Sequence, residues 1–278
     1  MGENDADESP LSIADVAALE AFVIPHYLSP FGRLVVNAIA RSDEAQIVHF
    51  DCRTGFPDIE VVEKLNGAHL YGCDRSSFAI AIARAKAAAL PGGVFHYEPS
   101  SGQQAVYSDA AFSHAFTIHP RLKSAARNRS ISECARLLAP GGEGLVALPI
   151  RGSFKEAFDL VREFALRHEE LELSARLEAP ETCGPTADQL IGEFEASGFE
   201  FVRVDQQQFA MKFESGRAFI DDAAMRLCVL PELEAPLRAC GGDAGRLRQY
   251  LCTAIDRYWS HSAFELTISA AVAAGRRM

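Results

Sequence analysis

Between residues 46 and 170 the period of the hydrophobic pattern switches back and forth. Short apolar runs at 46–51, 68–73, 94–97, 111–118 and 144–150 alternate with helix-period segments at 57–66, 76–89, 124–138 and 153–170. A short apolar run between turn signals reads as a strand covered on both faces, and a 3.6-residue period reads as a helix packed on one side. Gly67, Pro91-Gly92-Gly93 and Ala139-Pro140-Gly141-Gly142 punctuate the helices, as residues that end a helix should. A connection long enough to hold a helix joins parallel strands, and such crossovers are right-handed. The expected class is therefore α/β: a Rossmann-like sheet of about seven strands, mostly parallel, with helices on both faces and ligands at the carboxyl ends of the strands.

The flanks complete the sheet. Apolar residues recur at helical spacing over 12–40 (Val16, Leu19, Phe22 and Val23, then Phe31, Leu34, Val35 and Ile39), with Ser12 and Asp15 placed as a capping box. Pro25 and Pro30 are expected to divide this stretch into helices joined by a bent linker. Residues 186–197 read as a helix. Residues 200–213 and 264–273 read as an antiparallel hairpin at the sheet edge, and 215–259 as helices broken at Pro231, Pro236 and Gly241-Gly242. Lying between two edge strands, these helices are expected to fold over the carboxyl ends as a lid. The predicted organisation is a disordered acidic tail (1–10) and one domain (11–278). That domain comprises amino-terminal helices (11–44), a core (45–213), a helical insertion (214–262) and a terminal strand (263–278).

Composition narrows the function classes. Lys+Arg is 27 against 38 Asp+Glu, a formal net charge of −11. A protein held to nucleic acid by phosphate contacts needs a basic face, so no nucleic-acid partner is expected. The first residues are acidic where a signal peptide starts basic, and no apolar run reaches the ~18 residues of a membrane span. A cytoplasmic protein with no membrane partner is expected. The seven cysteines contain no Cys-x-x-Cys pair, which argues for reduced thiols and against a zinc knuckle. No metal is expected, because His49, His96, His114 and His119 lack ligand spacing. Arg121, Lys123, Arg127 and Arg129 read as a solvated helix face. Phe209, Met211, Phe213, Met225, Leu227 and Tyr250 read as core rather than as a substrate chamber.

Several motifs stand in the order and spacing of one family. Glu133-Cys-Ala-Arg-Leu-Leu-Ala-Pro-Gly-Gly142 is similar to its "E-x-x-R-v-L-k-P-G-G", Tyr107-Ser-Asp-Ala-Ala-Phe112 to "f-p-d-a-s-F-D", and Gly72-Cys-Asp74-x-Ser76 to "G-v-D-x-S". Phe194-Glu-Ala-Ser-Gly-Phe199 and residues 18–29 also match, so that the chain over 15–275 resembles the class I S-adenosylmethionine-dependent methyltransferases of the ubiquinone and menaquinone type. The resemblance implies that fold, S-adenosylmethionine as cofactor, and a site at the carboxyl ends of the strands. On it, the cofactor-binding positions are His49, Asp51, Arg53, Gly55, Asp74 and Ser101, and His119 is the candidate general base.

Those positions depart from the family in a consistent way. Where its loop reads "v-L-D-x-G-x-G-x-G", this chain has Ile47-Val-His49-Phe-Asp51-Cys-Arg53-Thr-Gly55. The carboxylate is a histidine, and two of the glycines are charged residues. Glycines at such a turn supply positive φ and let the backbone approach the ligand. A guanidinium at Arg53 would fill cofactor space and oppose a sulfonium, and it is expected to pair with Asp51, Asp58 or another carboxylate. Asp74 keeps the acidic position whose carboxylate can take both ribose hydroxyls. The first expectation is a pseudo-methyltransferase with weak or lost cofactor binding, acting as a binding or regulatory module on a small-molecule or protein partner, with a homodimer among the expected assemblies. The alternative is an active methyltransferase for a small-molecule acceptor. Returning positions 49, 51 and 53 to Asp, Gly and Gly is expected to restore some affinity.

Overall fold

The computed structural model describes residues 10–90, 94–100, 105–119, 123–179, 182 and 184–278. Their strands are β1 (Gln46–Phe50), β2 (His69–Asp74), β3 (Val94–Pro99), β4 (Phe112–Ile118), β5 (Leu138–Pro149), β6 (Phe199–Phe213) and β7 (Phe264–Arg277). They form one sheet in the order β3-β2-β1-β4-β5-β7-β6. Strands β1 to β5 are parallel, and β7 runs antiparallel to both β5 and β6. The strand order reverses between β1 and β4. That switch point leaves a crevice at their carboxyl ends, where the chain departs to opposite sides.

The crossover helices are α3 (Asp58–Lys64), α4 (Ser77–Ala88), α5 (Ser124–Leu137) and α6 (Lys155–Arg167), followed by α7 (Leu171–Leu177) and α8 (Ala187–Ala196). Ile47, Val48 and Leu145 to Leu148 are fully buried, as continuous apolar strands between two helical layers must be. Two of the boundaries that differ from the sequence reading have a local cause. Helix α6 ends at Arg167, Glu169 turns left-handed (φ 55), and a separate α7 follows. Strand β5 starts at Leu138, because the Pro-Gly-Gly segment is its extended lead-in, with Gly141 at positive φ (80).

The amino-terminal helices do not break at Pro25. After α1 (Ile13–Ala18), capped by the Ser12–Asp15 box, residues Leu19–Leu28 continue as a π-helix into α2 (Ser29–Ala38). The Ser29 N–H reaches back to the Ile24 carbonyl, five residues earlier. That wider register tolerates a residue with no N–H, whose ring would clash with the preceding turn of an α-helix. Pro30 lies in the first turn of α2, where proline costs nothing.

The insertion folds as α9 (Gly216–Asp221), a π-helical turn (Met225–Val229), α10 (Leu230–Ala239) and α11 (Ala244–Tyr258). Pro231 opens α10 and Pro236 sits inside it without ending it, whereas Gly241-Gly242 separates α10 from α11. Strand β7 pairs with β5 only from Ala270 onward, so its first residues and their β6 partners project beyond the carboxyl end of β5. The insertion hangs from that projection. Burial pushes the Cys228 thiol of the π-helical turn up to about 11, and the charge of Arg53 in the loop after β1 draws it down. A β-carbon on Gly216 would fall inside the Cys252 carbonyl, a backbone group that cannot swing away. Gly216→Ala should therefore part α9 from α11 and cost about 1–3 kcal/mol, read as a lower urea midpoint at unchanged slope.

His114 lies in the amino-terminal half of β4, away from the carboxyl ends of the strands. It lies 4.0 Å from the buried Glu143 carboxylate and contacts the Ala40 carbonyl at 3.1 Å. Burial lowers its pKa, partly offset by Glu143. A histidine depressed in the folded state takes its proton first in the unfolded chain, so stability is lost as pH falls below about 6.5. His114→Gln should flatten the slope of stability against pH in that window, read by urea titrations at pH 5.5 and 7.5. An unchanged slope would assign the acid sensitivity elsewhere.

Candidate functional site

The loop after β1 enters the switch point. Asp51 (φ 53), Arg53 (φ 50) and Gly55 (φ 73) are all left-handed. The turn thus keeps the backbone path of a glycine-rich loop with two non-glycine residues, each at a cost of ~1–2 kcal/mol. Gly55 admits no side chain, since a β-carbon would lie 2.8 Å from the Tyr97 hydroxyl and 3.1 Å from Asp58 Oδ2.

Arg53 supplies the contacts that hold this strained turn. Its backbone N–H donates to Asp74 Oδ2 (2.9 Å), and its guanidinium donates to the carbonyls of Ile118 (2.8 Å) and His119 (3.1 Å). The side chain therefore crosses the switch point from β1 to the end of β4. Among the described residues, the guanidinium's hydrogen bonds go to these carbonyls and not, as expected from the sequence, to Asp51, Asp58 or a neighbouring carboxylate. His119 leaves β4 with φ 56, which frees carbonyls there, and Asp58 is already engaged. Asp74 is also engaged, because its Oδ1 accepts from the Ser76 N–H (2.8 Å). Ser76 itself caps α4.

Behind the loop lies a buried chain of polar groups. His49 Nδ1 meets Asp58 Oδ1 at 2.6 Å, and the Tyr97 hydroxyl donates to Asp58 Oδ2 at 2.8 Å. Asp58 is fully buried at the first position of α3, and the His49 ring stacks on Phe116 with centroids 4.1 Å apart. Burial, then the Asp58 charge, pushes the Tyr97 phenol far above its ordinary range, so it serves only as a neutral donor. Burial, Asp58 and Asp74 likewise push up the Cys52 thiol, an environment that favours the thiol over the thiolate. What remains beside His49, Cys52, Arg53 and Thr54 is a cavity of ≈ 10 Å³. That is room for about one water, against ~300–1,000 Å³ for pockets that hold small-molecule ligands.

His119 stands at the carboxyl end of β4, and its Nε2 is bound to the Tyr27 hydroxyl at 2.7 Å. Tyr27 and Phe31 from the amino-terminal helices and Phe209 from β6 close around it, with ring centroids 5.3–6.3 Å apart. Of the other candidate chamber residues, Phe213 packs on Phe219 and Tyr250 on Phe164. Ser101 and Arg121 lie outside the described residues. His96 stacks on Tyr71, and β2 lies between its strand and that of His49. Among the described residues no three His, Cys, Asp or Glu side chains gather as metal ligands. Arg127 is buried and forks onto Glu193 of α8 (2.6 and 2.5 Å), so it belongs to no solvated face. Sequence reasoning missed Tyr27 and Tyr97, for which no local signal exists. Asp58 carried one, its position at a helix start three residues past Gly55, but pointed to Arg53 instead of His49.

No family model and no curated protein sequence matches the chain. Solved structures do. The YcgJ protein from Bacillus subtilis is 11% identical with a TM-score of 0.57, over 90% of this chain and 98% of that one. Phosphoethanolamine N-methyltransferase 2 from Haemonchus contortus, in complex with phosphomonomethylethanolamine and S-adenosylhomocysteine, is 13% identical with a TM-score of 0.54, over 96% of this chain and 57% of that one. The [4+2]-cyclase SpnF is 20% identical with a TM-score of 0.50, over 89% and 80%. At such identities the likeness speaks for architecture, and the cyclase is a reminder that chemistry is grafted onto a fold. Strand order, hairpin edge and these neighbours agree: the chain has the fold of the class I S-adenosylmethionine-dependent methyltransferases.

Proposed function

We propose that this protein is a pseudo-methyltransferase, a binding or regulatory module whose cofactor place is taken by its own side chains. The observation that carries this reading is Arg53. Its guanidinium lies across the switch point on the Ile118 and His119 carbonyls, where a ligand on this fold would lie. Asp74, the residue suited to a ribose, instead binds two backbone N–H groups. The cavity left beside the loop, ≈ 10 Å³, is far smaller than a small-molecule pocket, which supports a reading in which this loop does not take S-adenosylmethionine as it stands. The net charge of −11 favours a protein or small-molecule partner over nucleic acid. The described cysteines are all free thiols, in keeping with a cytoplasmic setting, and no helix of the described residues is long and apolar enough to cross a membrane.

The test is calorimetric titration of the purified protein with S-adenosylmethionine and S-adenosylhomocysteine. The expected result is no heat of binding with ligand up to ~1 mM, a bound of about −4 kcal/mol. Micromolar affinity would replace this reading with the other one, an active methyltransferase for a small acceptor. There the Tyr27–His119 pair would be the acid–base group nearest the end of β4.

A further inference from the structure

We infer that the cavity beside the β1 loop is a binding site for one buried water, which joins Thr54 to His49 and completes a polar chain in the place of a ligand. The inference rests on the closed reading of the site given above. Thr54 is fully buried between Arg53 and Gly55, and its hydroxyl has no hydrogen-bond partner among the described residues. An unpartnered buried hydroxyl is costly, and native proteins satisfy such groups with protein or with internal water. Thr54 and His49 line the same cavity, whose ≈ 10 Å³ matches a single water.

The chemistry of the lining selects water over an ion. His49 gives Nδ1 to Asp58, and in the neutral ring that bond makes Nδ1 the donor and leaves Nε2 as an acceptor. A water can donate to Nε2 and exchange a second bond with the Thr54 hydroxyl. An anion would face the field of Asp51, Asp58 and Asp74, the same charges that raise the Cys52 thiol. A cation would need oxygen ligands, and the other polar lining groups are an imidazole, a thiol and a guanidinium. The completed chain runs Tyr97 to Asp58 to His49 to water to Thr54, linking β3 to the loop after β1.

The experiment is a crystal structure at about 1.5 Å of the wild type and of Thr54→Val, each ligand-free, with thermal melts of both and of Thr54→Ser. The expected result is one ordered water within hydrogen-bond distance of Thr54 Oγ1 and His49 Nε2. It should be absent from Thr54→Val, whose melting temperature should fall by a few degrees because His49 Nε2 loses its partner. Thr54→Ser should keep the water. A cavity without density, a Thr54 hydroxyl bonded directly to protein, or a Thr54→Val that melts higher than wild type would each overturn the inference. The last would mean that an orphan hydroxyl had been removed. A wild-type crystal soaked with S-adenosylhomocysteine tests the closed reading separately. Ligand density against the loop defeats that reading, while the ligand-free crystal alone decides the water.

Discussion

Arg53→Gly should bind S-adenosylhomocysteine at least tenfold more tightly than the wild type, a gain of about 1.4 kcal/mol or more. The substitution removes the side chain that crosses the switch point, releases the Ile118 and His119 carbonyls, and leaves φ 50 to a residue that adopts it without strain. Asp51→Gly should add to the effect by the same backbone argument, since Asp51 holds φ 53. The full return to the family's loop should not be the best variant. An aspartate at position 49 would face Asp58, a fully buried carboxylate 2.6 Å from the present imidazole. Two buried carboxylates at that range cannot both ionise, and the loop would be destabilised. Arg53→Gly/Asp51→Gly is therefore expected to exceed the triple variant with His49→Asp, in both affinity and melting temperature. Isothermal titration of the four proteins ranks them. Wild type binding as tightly as Arg53→Gly would show that the guanidinium obstructs nothing.

Asp58→Ala should be among the most damaging single changes outside the apolar core. It leaves the His49 imidazole and the Tyr97 hydroxyl without their shared partner, and none of the three can reach bulk water. Removing one member of a buried polar pair costs about 3–5 kcal/mol, which for a chain of this size lowers the melting temperature by on the order of 10 °C. Asp58→Asn should cost less, because it keeps an acceptor. Tyr97→Phe should cost about 1.5–3 kcal/mol, the range for a hydrogen bond to a charged group. An Asp58→Ala protein that melts with the wild type would mean that this chain of contacts does not hold the loop.

The candidate site was only half legible in the sequence, and the division is physical. Asp51 and Arg53 announced themselves by standing where glycines are expected, because a turn that needs positive φ restricts residue type locally. Their partners did not, because the Ile118 and His119 carbonyls lie 65 and 66 residues away and a carbonyl has no sequence signature. Charge complementarity suggested a carboxylate for Arg53. The fold offered strand-end carbonyls in its place, once Asp58 had been claimed by His49 and Tyr97. His119 was placed correctly at the end of β4. Its engagement by Tyr27 depends on a helix 92 residues earlier, whose approach was set by a π-helical register that Pro25 gave reason to doubt.

The sequence by itself determined the layered α/β architecture, the hairpin edge and the insertion between its strands. Those follow from the period of apolar residues and from turn chemistry, which act within a few positions along the chain. Only the tertiary structure decided what the switch point contains. Whether Arg53 points to solvent or across the crevice, whether Asp74 is free for a ribose or spent on backbone N–H groups, and whether His119 is open or capped all turn on contacts between distant segments. Such contacts leave no local periodicity, because burial rewards the pairing of groups in space and not their spacing along the chain.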